Sequence, residues 1–189
     1  MTINLNDPSI VIVIDLWTTV NPVLVRKIVT FINNNNFIED VYGGIYGVHS
    51  KARKIHPYIK ELSKPFDNIS TKYEILGEKR QWDVHELRLR CLDKKPHIKN
   101  IYITGTHWKE CVKDRSLGYP SIKKHFPDKN VIINTLLVQG FMEEDIQENY
   151  AYWSKIDKDN YLYHPPQIKS ISSINKQLYH QLLKLKNEF

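Results

Sequence analysis

Short uninterrupted apolar runs alternate along this chain with stretches whose apolar residues recur every three or four positions. Residues 9–15, SIVIVID, form such a run closed by an acid, the pattern of a strand buried on both faces. Residues 21–32 follow with Pro22 suited to a first helical turn and Val23, Val25, Ile28, Val29 and Ile32 at helical spacing, and the asparagines at 33–36 stop the helix. Residues 41–49, VYGGIYGVH, predict a second strand whose three glycines imply a close backbone approach or a bulge.

The middle of the chain mixes strand-like and loop-like signals. A third strand is placed at 73–76 and a helix at 82–92. Residues 99–105, KNIYITG, and 129–138, KNVIINTLLV, predict the fourth and fifth strands, and 161–164 a short sixth. The C-terminal segment has a serine cap followed by Ile174, Leu178, Leu182 and Leu185 on one face, an amphipathic helix to be packed on the sheet. Alternation of this kind is that of an α/β protein with a mostly parallel sheet of about six strands.

Length and composition narrow the classes. A chain of 189 residues suits one domain, expected here to span 1–189. The apolar runs fall far short of the roughly 20 residues that span a bilayer, so no membrane partner is expected. The polar, acid-containing start lacks a signal-peptide pattern, and a cytoplasmic protein is expected. Two cysteines, Cys91 and Cys111, make no disulfide framework and are read as reduced thiols. The net charge of +6 is scattered over short basic groups rather than gathered in a block, which argues against a nucleic-acid partner.

Candidate chemistry comes from strand order. The carboxyl ends of parallel strands share one crevice, so Asp15 after the first strand, Lys79 after the third and Cys111 after the fourth can be neighbours. Acid, amine and thiol together make a nucleophilic set. The ammonium and a helix amino end favour thiolate, and the carboxylate accepts and returns a proton. Each also has a plainer reading: Cys111 as core filler, Asp15 as a cap for the following helix, Lys79 as a solvated side chain.

At these residues the sequence resembles the isochorismatase-like cysteine hydrolases. The matching stretches are VIVIDLW with Asp15, YEILGEK with Lys79, and TGTHWKECV with Gly105, Cys111 and Val112. One branch of that family reads G-x-H-x-x-x-C-V-x-x-R-x-x-G, supplied here by Gly105, His107, Cys111, Val112, Arg115 and Gly118. The resemblance covers residues 8 to 138 and fades beyond. It implies a three-layer Rossmann-like fold and hydrolysis of a small molecule with an amide-like C–N bond through a covalent cysteine intermediate. Cys111 is then the nucleophile, Asp15 the general base and acid, and Lys79 the stabiliser of charge. The oxyanion is met by backbone N–H groups of Cys111 and the preceding turn, where the family has a cis peptide, here Thr106–His107.

Departures accompany the match. The family often has a polar residue such as Gln two positions after its first acid, where this chain has Trp17, and Lys72 is a second candidate for the amine. Trp17, His49, Trp82, Thr106 and His107 are expected to line the substrate pocket. The nicotinamidase branch carries an Asp-x-His pair and a further His after its second strand. Here His49 and His56 lack the preceding Asp, and Asp83 and His85 read as a surface pair, so neither a metal nor another cofactor is expected and nicotinamide is disfavoured. Two alternatives remain open. IDLWTTV is similar to the first motif of haloacid-dehalogenase phosphatases, with Trp17 in place of their second acid. The aromatic clusters YAYW and YLYH are compatible with a non-catalytic binding protein that keeps the fold, or with a homo-oligomer.

Overall fold

The apolar run from Ser9 becomes one of the two central strands in a six-stranded sheet ordered β3-β2-β1-β4-β5-β6, every neighbouring pair parallel. The strands are β1 Ser9–Ile14, β2 Ile38–Gly44, β3 Phe66–Asn68, β4 Asn100–Thr106, β5 Asn130–Gln139 and β6 Leu162–Tyr163. The computed structural model describes residues 3–44, 55–69, 82–106, 111–112, 115–139 and 162–163.

Strand β1 explains the layering. Its even residues Ile10, Ile12 and Ile14 join one apolar cluster, while Val11 and Val13 join another on the opposite face. Both faces are therefore covered, which is why the run has no polar alternation. Helix α1 (Pro22–Asn34) covers the second face through Leu24, Val25, Ile28, Val29 and Ile32. Helices α2 (Trp82–Leu87) and α3 (Tyr119–His125) cover the first through Val84, Leu87, Tyr119 and Ile122. Each large side chain so buried contributes about 1.5–3 kcal/mol.

Several boundaries differ from the pattern reading. Val23 is exposed and Leu24 takes the buried position, because Asn21 caps α1 by accepting from the Val23 backbone N–H and so sets the helical phase. Asn33 and Asn34 extend the helix rather than end it. The third strand is Phe66–Asn68, within the segment that read as mixed, and 73–76 lies outside the described residues. The expected helix at 82–92 is α2 continued by a π-helical turn at Arg88–Leu92. The second strand begins earlier, at Ile38, and residues 45–49 of that prediction, like the C-terminal helix, lie outside the described residues. At Gly43 the expected close approach occurs: the Phe66 ring of β3 occupies the space a Cβ would need.

The chain runs outward from β1 through β2 to β3, then returns to the other side of β1 and runs outward again through β4, β5 and β6. Strand order thus reverses between β1 and β4. The crevice beyond their carboxyl ends is where open α/β sheets hold ligands.

Candidate active site

Asp15 is the first residue past β1, and it is wholly buried. Its φ of 54° lies in the left-handed region, which aspartate tolerates better than most residues but seldom adopts without reason. The conformation is fixed from several sides. The Asp15 N–H donates to the Gly44 carbonyl of β2, and the Asp15 carbonyl accepts from the Trp17 N–H at 3.1 Å and from the Thr106 hydroxyl at 2.8 Å. The cap of α1 belongs to Asn21 rather than to Asp15.

Gly105 lies opposite Ile14 in the β1–β4 pairing, beside a register irregularity between β4 and β5. Its φ of 127° suits glycine, and a Cβ there would fall on the Ile14 backbone carbonyl. The glycine of the motif thus lets β4 press against β1 where Asp15 begins.

Cys111 is 3% exposed and Val112 fully buried, both within the cluster on the α2 and α3 face. The Cys111 thiol lies close to the Asp15 carboxylate. Burial, then the nearby Asp15 carboxylate, push the thiol up to about 12, against a weaker downward pull from Arg115. The expected thiolate is therefore not what the described surroundings favour. A neutral thiol beside a carboxylate matches them instead.

Arg115 received no role from the sequence beyond its place in the motif. Its Nε stands 3.7 Å from Asp15 Oδ2. The Arg115 N–H donates to the Cys111 carbonyl at 3.2 Å, one helical turn on, and the Gly118 N–H donates to the Arg115 carbonyl at 2.7 Å. The Ser116 hydroxyl donates to the Asp83 carboxylate. Asp83, expected at the surface, is buried; His85 is exposed as expected. The spacing of four between Cys111 and Arg115 was the available signal, since residues so spaced share a helix face.

The remaining candidates divide. Thr106 is buried and its hydroxyl supports the Asp15 backbone. Trp17 is 8% exposed, belongs to the apolar cluster on the α1 face and bridges to Ile55. Trp82 opens α2, its side chain outside the description. His49, Lys72, Lys79 and His107, and with His107 the Thr106–His107 bond, lie outside the described residues.

No protein-family model matches the sequence, and no curated protein matches it either. Solved structures do. The pyrazinamidase of Pyrococcus horikoshii in complex with zinc superposes with a TM-score of 0.54 at 15% identity, over 78% of this chain and 95% of that one. The nicotinamidase of Staphylococcus aureus gives 0.50 at 16% identity, over 77% and 91%. An isochorismatase-like hydrolase from Alkaliphilus metalliredigens gives 0.49 at 12%, over 79% and 90%.

The zinc of the first of these prompts a test of fit. Among the described residues no group of three or more His, Cys, Asp or Glu side chains is placed to hold a metal ion. His56 is buried, its Nδ1 accepts from the Tyr58 N–H, and burial lowers its basicity. The described residues therefore do not fit a zinc site. What they share with the superposed proteins is architecture: the chain has the three-layer α/β fold of the isochorismatase-like hydrolases.

Proposed function

We propose that the chain is a cysteine-dependent hydrolase of the isochorismatase-like type, acting on a small molecule with an amide-like C–N bond through a covalent intermediate on Cys111. The single observation that carries the reading is the buried Asp15 carboxylate set beside the buried Cys111 thiol where the strand order reverses. The fold shared with a pyrazinamidase and a nicotinamidase supports it.

In this reading Asp15 takes the thiol proton as Sγ bonds to the substrate carbonyl carbon. The tetrahedral intermediate collapses by breaking the C–N bond, and Asp15 returns the proton to the departing nitrogen. Water then attacks the thioester carbon while Asp15 accepts its proton, and the sulfur leaves and regains a proton. The sum is amide plus water to acid plus amine. A thiol held neutral beside its base suits this sequence, because the nucleophile forms only as the proton moves. Lys79, or Lys72, is the proposed amine that steadies the negative charge, and His49, His107, Trp17 and Trp82 are proposed pocket residues. No cofactor enters the scheme.

The test is a panel of small amides, including pyrazinamide and nicotinamide, followed by amine or ammonia release and by intact mass. Turnover of one panel member, with a trapped acyl adduct on Cys111 and loss of turnover in Cys111→Ala, is expected. Full turnover by Cys111→Ala overturns the mechanism. An inert protein that binds one of these molecules tightly favours the non-catalytic reading.

A further inference from the structure

A buried carboxylate beside a thiol is costly unless a positive charge stands near it, because desolvation penalises the ionised acid and raises its affinity for a proton. Asp15 must nevertheless be ionised to accept the proton from Cys111. In the described crevice the cation that meets this need is a guanidinium.

We propose that Arg115 is a positioning residue for the Asp15–Cys111 pair, keeping the carboxylate ionised and directed at the thiol; the proposal rests on the cysteine-hydrolase reading above. Its geometry comes from two sides. From below, the bond from the Arg115 N–H to the Cys111 carbonyl sets the two residues one helical turn apart. From across the crevice, Arg115 Nε reaches to 3.7 Å from Asp15 Oδ2, with the carboxylate wholly buried and the arginine side chain 28% exposed. One residue thus meets both members of the pair, Asp15 through its side chain and Cys111 through its backbone N–H.

The turn that bears Arg115 is anchored on its far side. Ser116 donates to the buried Asp83 carboxylate of α2, Leu117 is fully buried in the core, and the Gly118 N–H closes the turn on the Arg115 carbonyl. A guanidinium on a braced turn keeps its place without a large entropy cost. It also stays charged at every pH the enzyme meets, which a buried lysine does not. Among the described residues the charged groups that face the thiol are Asp15, just past β1, and Arg115 from its own turn, with Asp83 of α2 one residue further out through Ser116. Whatever Lys79 or Lys72 adds, the carboxyl side of the pair already has its counter-charge.

The experiment is the pH dependence of iodoacetamide labelling at each cysteine, read by mass spectrometry on the full chain, with the buried Cys91 as internal control. Below its midpoint the labelling rate follows the thiolate fraction, so one unit in the midpoint is about tenfold in rate. Arg115→Gln is expected to slow labelling of Cys111 about tenfold at mildly alkaline pH, to leave Cys91 unchanged, and to be largely reversed in Arg115→Lys. Simple loosening of the fold would do the opposite and speed both cysteines. An unchanged Cys111 profile in Arg115→Gln, or faster labelling, overturns the role. Labelling does not require turnover: a shifted profile supports the positioning role even where no amide is hydrolysed, and intact turnover with an unshifted profile removes Arg115 while leaving the hydrolase.

Discussion

The Thr106 hydroxyl donates to the Asp15 backbone carbonyl across 2.8 Å, tying the last residue of β4 to the first residue past β1. Thr106 also begins the connection that leads to Cys111, so one side chain couples the base to the segment bearing the nucleophile. Thr106→Val keeps the shape and removes the donor. It is expected to cost about 1 kcal/mol in stability, since the Asp15 carbonyl retains its bond from Trp17. Turnover is expected to fall more, at least tenfold, because the left-handed backbone of Asp15 loses a restraint. Urea unfolding and steady-state rates check the two separately; a rate that tracks stability alone would refute the coupling.

Asp15→Asn separates charge from shape. Asparagine accepts the φ of 54° as readily as aspartate, so the backbone stays as it is. Removing the negative charge takes away one cause of the raised Cys111 thiol, and labelling of Cys111 is expected to accelerate about tenfold at mildly alkaline pH. Hydrolysis is expected to vanish, because the sulfur then has no base. A more reactive cysteine in a dead enzyme is a pair of results that a merely structural Asp15 does not produce. Slower labelling would mean that Asp15 helps to form thiolate rather than holding the thiol neutral.

These relations mark where the chain's pattern could be read and where it could not. Strand β1 was legible because burial on both faces leaves a run without polar interruption, and Asp15 was found because the run ends on it. Strand β4 was legible in the same way, and Cys111 was singled out by its place after that strand and by the motif it shares with Gly105. Strand β3 was not legible. Its three residues carry no period, and the task of Phe66, covering Gly43, appears only when β2 lies beside it. Asp83 misled for the same reason, because its partner Ser116 is 33 positions away and nothing local marks an acid that will be buried. Arg115 stood in a quoted motif, yet its role depends on Asp15, 100 positions earlier in the chain.

Gly105→Ala should be the most damaging single methyl at the site. The added Cβ would meet the Ile14 carbonyl, and alanine does not settle at a φ of 127°. Backbone atoms of two central strands cannot yield as a flexible side chain would. A loss of about 3 kcal/mol or more is expected, read as a lower urea midpoint. A loss below about 1 kcal/mol would mean that β1 and β4 are not so closely apposed.

Cys111 gives the fold a specific alkaline weakness. Its thiol ordinarily titrates near 9 and is pushed up to about 12 in the folded chain, so folding favours the protonated form. That contribution is whole below pH 9 and is lost as pH rises toward about 12, because the unfolded chain releases this proton first. Comparison with Cys111→Ala isolates it. The alanine variant carries a constant cavity penalty, and Cys91, also raised by burial, is common to both proteins. The stability difference between wild type and variant should therefore be flat up to about pH 9 and then narrow, by on the order of 2 kcal/mol near about pH 10.5. Urea unfolding at stepped pH measures it. A difference that widens with pH would mean that folding stabilises the thiolate, and that another cation outweighs both burial and Asp15.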